Sequence, residues 1–145
     1  LAESERERDG RPSPVPGIAP TLGGETVLLV DDEPAIRAAL SRTLRSVGFR
    51  VLEAANGGEA LAVADGERGT IDLLLTDIMM PGIGGKELVQ RFLRLRPRTR
   101  VILMSGYTDD EELRRQLGES RHAFLQKPFT AKKVLSTVRD LLDAE

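Results

Sequence analysis

The sequence predicts an α/β fold: a five-stranded parallel sheet, doubly wound, with five helices on its two faces. The first observation behind this is alternation. From Thr26 onward, short apolar runs are separated by stretches whose apolar residues recur at helical spacing, and no internal repeat interrupts them. The second is that the runs are nearly continuously apolar, the pattern of strands covered by helices on both sides. The third is size, since 145 residues make one domain with a proper core and are too few for two ordinary ones.

The first strand is residues 27–30, Val27-Leu28-Leu29-Val30. Pro34 then suits the first turn of a helix, apolar residues recur at Ile36, Leu40, Leu44 and Val47, and Gly48 can close it. The second strand is expected at 50–54, followed by a helix entered near Asn56, carrying Ala60, Leu61 and Ala64, and stopped at Gly66. Residues 71–76 form the third strand. Its helix places Leu88, Phe92 and Leu95 on one face and ends before Pro97. A fourth strand at 101–104 precedes a short helix around Leu113 and Leu117. A fifth, at 123–126, leads through Lys127-Pro128-Phe129 to a last helix capped by Thr130, with Val134, Leu135, Val138, Leu141 and Leu142 inward.

Residues 1–24 differ from the rest. They hold four of the eight prolines (Pro12, Pro14, Pro16, Pro20), a charge run from Glu3 to Asp9 and no aromatic residue. Such a segment buries too little surface to offset its ordering entropy, so it is expected to be a flexible linker, with the folded domain at 25–145. A proline-rich ligand for another domain is the alternative, but the alternating prolines form no clear docking motif. Because the chain opens at Leu1 and not methionine, it is expected to be a segment of a longer polypeptide.

Composition excludes several classes. A net charge of −2, with 40% hydrophobic and 30% charged residues, fits a globular protein and gives no electrostatic case for nucleic acid. The absence of cysteine removes disulfides, thiolate metal sites and cysteine nucleophiles. No apolar stretch nears the roughly 18 residues of a membrane span, and no signal pattern opens the chain, so a cytoplasmic location without membrane contact by this segment is expected.

Right-handed crossovers bring the carboxyl ends of all strands to one edge, where open α/β sheets place their sites. At that edge the sequence offers Asp31-Asp32, Asp77, Ser105 and Lys127. Any one aspartate there could simply cap a helix or form a turn. Together, three clustered carboxylates repel one another unless a hard cation coordinates them, and Mg²⁺ suits a few carboxylates plus retained waters. A lysine and a hydroxyl alongside suit phosphate.

The segments Asp31-Asp32-Glu33-Pro34, Thr76-Asp77-Ile78-Met79-Met80-Pro81-Gly82, Met104-Ser105-Gly106-Tyr107 and Lys127-Pro128-Phe129 resemble the motifs of response-regulator receiver domains, from about Thr26 to Leu142. The resemblance implies a flavodoxin-like strand order 2-1-3-4-5 and phosphoryl transfer from a histidine kinase or phosphotransfer domain to Asp77. It implies that Asp32, Asp77 and the Met79 main-chain carbonyl bind Mg²⁺, with Mn²⁺ able to substitute, that Asp31 supports the metal, and that Lys127 and Ser105 contact phosphoryl oxygens. It further implies a cis Lys127–Pro128 peptide, a switch made of Ser105 and Phe124, and a downstream protein partner on the surface of the short fourth helix, the fifth strand and the last helix. Phe124 stands where tyrosine is frequent and lacks its hydroxyl; core packing is its other role. The resemblance also implies that Met79 and Tyr107 border the path of attacking water.

Other readings of these residues are weaker. His122, the single histidine, reads as a surface residue at the start of the fifth strand, since no second histidine exists to build a metal site. Gly84-Gly85-Lys86 lacks the first glycine of a phosphate loop and reads as a loop entering the third helix. Met79 and Met80, beside carboxylates, read as loop and packing residues and not as a soft-metal site. An aspartate-nucleophile phosphohydrolase would want a second carboxylate two residues after Asp77, where Met79 stands, and a phosphate-independent docking module would not need the retained set. With only Asp143-Ala144-Glu145 after Leu142, no DNA-binding effector is expected. The chain looks like the C-terminal receiver of a hybrid sensor histidine kinase, with a stand-alone regulator as the alternative. That resemblance implies a phosphoacceptor that catalyses its own phosphorylation and dephosphorylation and leaves open whether its parent is a histidine kinase anchored in a membrane.

Overall fold

In the computed structural model, which describes residues 24–106 and 122–143, five parallel strands form one sheet in the order β2-β1-β3-β4-β5. The strands are β1 (Thr26–Val30), β2 (Arg50–Ala54), β3 (Leu73–Asp77), β4 (Arg100–Ser105) and β5 (His122–Gln126). Four helices lie among the described residues: α1 (Pro34–Ser46), α2 (Gly57–Gly66), α3 (Gly85–Leu95) and the last helix, α4 (Ala131–Asp143). The short helix expected around Leu113 and Leu117 lies outside the described residues, as does the expected linker up to residue 23.

Period-two alternation along the strands divides the core into two layers. Val27, Leu29, Leu73, Leu75, Ile102, Met104 and Leu125 point to the face where α1 supplies Leu40 and Leu44, its C-cap residue Val47 joins them, and α4 supplies Val134, Leu135, Val138 and Leu141. Leu28, Val30, Leu74, Val101 and Leu103 point to the other, against Ala60 and Ala64 of α2 and Leu88, Val89 and Phe92 of α3. Every residue of β1 and β3 is buried. At roughly 1.5–3 kcal/mol for each fully buried large apolar side chain, these two strands anchor the molecule.

The local signals act as their chemistry requires. Pro34 occupies the first turn of α1, and Gly48, at φ 101°, takes the left-handed conformation that ends it. The Asn56 side chain accepts the Glu59 N–H at 2.8 Å while the Glu59 carboxylate accepts the Ala55 N–H at 2.9 Å, closing the start of α2 reciprocally. Thr130 Oγ1 accepts the Lys133 N–H at 3.0 Å and caps α4.

Two expectations need correction. The third strand begins at Leu73, not Ile71: the Ile71 carbonyl accepts Thr99 Oγ1 at 2.7 Å instead of a strand partner. It also runs one residue further, so that Asp77 lies within the ladder opposite Met104. On α3, Leu95 is 50% exposed, and the buried stripe is Gly85, Leu88, Val89 and Phe92. Polar contacts hold that end of the helix instead: the Arg96 guanidinium donates to the carbonyls of Ala64 (3.0 Å), Gly69 (2.8 Å) and Glu67.

This difference is measurable by urea unfolding. Phe92→Ala should lower stability by about 3–5 kcal/mol, and Leu95→Ala by less than about 1 kcal/mol. Equal losses would contradict the observed stripe.

Candidate functional site

The carboxyl ends of β1, β3 and β5 bring four of the expected residues together. Asp31 immediately follows β1, and its N–H still donates to the Ala54 carbonyl of β2 at 3.2 Å. Its side chain is fully buried; Oδ1 accepts the Glu33 N–H at 2.9 Å, and Oδ2 has no hydrogen-bond partner. Asp32 is exposed. Asp77, only 6% exposed, ends β3; its Oδ1 accepts the Met79 N–H at 3.1 Å and its Oδ2 accepts Lys127 Nζ at 2.8 Å. One oxygen from each of the three aspartates lies within 4.8 Å of the others.

The backbone behind this cluster is tightly specified. Ile78 N–H donates to the Met104 carbonyl at 3.0 Å and Gly85 N–H to the Ile78 carbonyl at 2.8 Å, so the segment after Asp77 is tied to β4 and to the start of α3. A Cβ on Gly85 would stand 2.4 Å from the Asp77 carbonyl oxygen, so only glycine lets α3 come this close. Lys127 N–H donates to the Ser105 carbonyl at 2.7 Å, which ties the lysine to the end of β4, and the Lys127–Pro128 peptide is cis.

Three carboxylates face one ammonium, 2.8 Å from Asp77 and 3.8 Å from Asp31. Burial raises the Asp31 pKa above the ordinary carboxylate value, and the Asp77 and Asp32 charges push the same way; the Glu33 N–H and Lys127 only partly oppose this. For Lys127, burial works against the charge, but the hydrogen bond and charge of Asp77, with Asp31 and Glu33, outweigh it and raise its pKa. The ammonium therefore stays protonated at neutral pH. Surplus negative charge, oxygen donors only, and a buried carboxylate oxygen without a partner fit a hard divalent cation such as Mg²⁺.

The remaining expected residues are placed as follows. Ser105 ends β4 opposite Gln126. Phe124, opposite Leu103, is partly buried and packs against the α2 and α3 layer. The Met79 side chain is 69% exposed, whereas Met80 packs against that same layer. Tyr107 lies outside the described residues. His122 is partly buried at the amino end of β5, remote from the carboxylates, rather than a plain surface residue. Gly84 is the N-cap of α3 and Gly85 and Lys86 begin it, so the glycines serve the helix start. Two residues near the site were missed from sequence. Gly85 could have been found as a glycine at the first position of a helix; Arg37, whose Nη1 donates to the Asp31 carbonyl at 2.7 Å, gave no signal beyond its helical spacing.

A cleft of about 630 Å³ opens elsewhere, lined by Glu25, Arg68, Asp72, Arg98 and Thr99 among others, and holds none of the expected site residues. The carboxylate cluster lies outside it, exposed through Asp32.

Residues 27–139 match the response regulator receiver domain family. The chain is 37% identical over 123 residues to the sensor kinase CckA of Brucella abortus (strain 2308), covering 85% of this chain and 13% of that protein. It is 32% identical over 120 residues to sporulation initiation phosphotransferase F of Bacillus subtilis (strain 168), covering 81% of this chain and 94% of that one. Among solved structures, the receiver domain from the hybrid histidine kinase CckA superposes with a TM-score of 0.70 at 38% identity, covering 81% of this chain and 99% of that domain. A receiver domain protein from Methanospirillum hungatei JF-1 gives 0.74 at 31% identity, covering 83% and 95%. The chain spans only 13% of the sensor kinase and 27% of another relative, a cyclic di-GMP phosphodiesterase of Thermotoga maritima.

The raised Asp31 pKa fixes the sign of a stability effect. A carboxyl whose folded pKa exceeds its unfolded one favours the folded state at low pH, and that contribution is lost as pH rises through and above the ordinary carboxylate range. In metal-free protein at pH 7, Asp31→Asn should therefore raise stability by about 1 kcal/mol, read as the denaturant midpoint. A loss of stability would show that the buried charge is well compensated.

Proposed function

This chain belongs to the response regulator receiver domain family, and from that premise we propose that Asp77 is its phosphoacceptor. Receiver domains of two-component signalling accept phosphoryl groups from histidine kinases or phosphotransfer proteins. The observation that carries the reading for Asp77 is its position: a carboxylate at a strand end, 2.8 Å from Lys127 and clustered with Asp31 and Asp32.

In the proposed reaction an Asp77 carboxylate oxygen forms a bond to phosphorus as the bond from phosphorus to the donor imidazole nitrogen breaks. The donor histidine leaves with the electron pair of that bond. Catalysis of such a loose transfer is mostly alignment and neutralisation of spreading charge. The Met79 N–H on Oδ1 and Lys127 on Oδ2 fix the plane of the nucleophile. As the phosphoryl group arrives, Lys127 moves its hydrogen bond from Asp77 to a phosphoryl oxygen, and the Ser105 hydroxyl donates to another. Asp32, Asp77 and the Met79 carbonyl would hold Mg²⁺, with Asp31 in support and Mn²⁺ able to replace it. Bound there, the ion would neutralise charge on the transferring phosphoryl oxygens.

The Ser105 movement offers Phe124 an inward position behind it, and phosphate then biases a two-state surface that includes β5 and α4. That surface is the proposed contact for a downstream protein. Similarity to the Brucella abortus sensor kinase CckA and to the receiver domain of the hybrid histidine kinase CckA supports a place within a hybrid histidine kinase, for which we propose a cytoplasmic location. Among the described residues no helix is long and apolar enough to cross a membrane.

Asp77→Asn should abolish labelling by acetyl phosphate or by a phosphohistidine donor, because an amide is a poor nucleophile and a weaker ligand. Labelling at the wild-type rate would remove Asp77 from this role. Excess chelator should stop labelling of the unaltered protein; full labelling without divalent ions would remove the metal.

Met79 bears on signal lifetime. Hydrolysis of the acyl phosphate needs a water held in line and relieved of a proton, and an exposed thioether offers no group for this. Decay of phosphorylated Asp77 should be slow, and Met79→Glu or Met79→Asn should speed it by roughly an order of magnitude. Unchanged or slower decay would show that this position does not limit the water.

A further inference from the structure

We infer that Arg37 is a positioning residue for the acidic site: it fixes the Asp31–Asp32 peptide plane and thereby aims the Asp32 carboxylate. Asp32 is exposed, and among the described residues no hydrogen bond reaches its carboxylate, so the backbone, by placing its Cα, sets which positions its rotamers can reach. The Asp31 carbonyl and the Asp32 N–H belong to one rigid planar unit. β1 ends at Val30, so that unit lies beyond the strand ladder. Arg37 Nη1 donates to its carbonyl at 2.7 Å.

The guanidinium is itself held. Arg37 Nε lies 3.4 Å from Glu53 Oε1, and Arg37 is only 20% exposed. Glu53 sits within β2, opposite Leu29 of β1, and its other oxygen accepts Ser41 Oγ at 3.2 Å. A guanidinium presents its donors in a rigid fork, so one end gripped by β2 fixes the other end against the Asp31 carbonyl. The peptide that carries Asp32 is thereby referenced to the sheet across the helix, from an element that contributes no charge to the site.

The inference rests on Asp32 as a ligand only for its functional consequence. The sign of that consequence is informative. By Coulomb's law, deleting a cation near a cation site strengthens metal binding; deleting a positioning residue weakens it, commonly at least tenfold for residues that orient metal ligands.

The test measures Mn²⁺ affinity and, in metal-free protein, the ¹⁵N order parameter of the Asp32 amide. For Arg37→Ala we expect about a tenfold loss of Mn²⁺ affinity and an order parameter falling from about 0.85 to below about 0.6. Arg45→Ala, which removes a different ion pair to Glu53 (3.7 Å) without touching Asp31, should change neither. If Arg37→Ala does not fold by circular dichroism, Arg37→Lys keeps the charge but loses the fork, and should move both readouts in the same direction by less. A rigid Asp32 amide in the Arg37 variant, tighter Mn²⁺ binding, or equal loss in Arg45→Ala overturns the inference. Failure of the unaltered protein to bind Mn²⁺ refutes the metal reading instead, and the metal-free amide measurement still decides the role of Arg37.

Discussion

Mutual repulsion among Asp31, Asp32 and Asp77 is the constraint around which the molecule is arranged. Their oxygens lie within 4.8 Å of one another, and Asp31 is fully buried. Left to themselves, such side chains would separate or take up protons. They are held because each backbone is anchored in a rigid sheet, β1 and β3 being buried along their whole length. Lys127, drawn in from the end of β5, offsets part of the repulsion and leaves a surplus of negative charge. The stability of the two-layer core thus maintains an electrostatically unfavourable cluster at its edge, a repulsion that a bound cation would relieve.

The same need for fixed backbones shows in the contacts around the site. Gly85 allows α3 to pack against the Asp77 backbone at a distance no side chain permits. The Ile78 N–H is committed to β4, and the Lys127 N–H to the carbonyl of Ser105. Arg37 and Glu53 link the Asp31 carbonyl to β2. Each contact orients a peptide rather than adding chemistry, and together they keep the carboxylates and the lysine in register. Receiver domains, the family to which the chain belongs, accept phosphoryl groups from histidine kinases or phosphotransfer proteins.

Much of this was legible beforehand, and for identifiable reasons. Short unbroken apolar runs such as Val27 to Val30, alternating with helical stretches, fit strands covered on both sides, and the residues that follow such parallel strands gather at one edge. Asp31, Asp32, Asp77 and Lys127 were therefore placed correctly from periodicity and punctuation, and the motifs around them pointed to the receiver family. Less legible were features depending on side chains of other elements. Leu95 fits the helical stripe of α3 but is exposed, because the helix end is held by Arg96 against carbonyls of Ala64, Glu67 and Gly69. Ile71 looks like a strand residue, yet the Thr99 hydroxyl claims its carbonyl.

The sequence by itself determined the alternation of strands and helices, the inward faces of α1 and α4, and the identity of the acidic residues and the lysine at the sheet edge. These follow from hydrophobic period, which is local. Tertiary structure alone decided that Asp31 is the buried acid and Asp32 the exposed one, that Lys127 pairs with Asp77 at 2.8 Å, and that Arg37 braces the peptide between the first two. Those outcomes depend on distances between residues far apart in the chain, 50 positions for Lys127 and Asp77. Local pattern carries no information about such distances until the sheet has set its order and register.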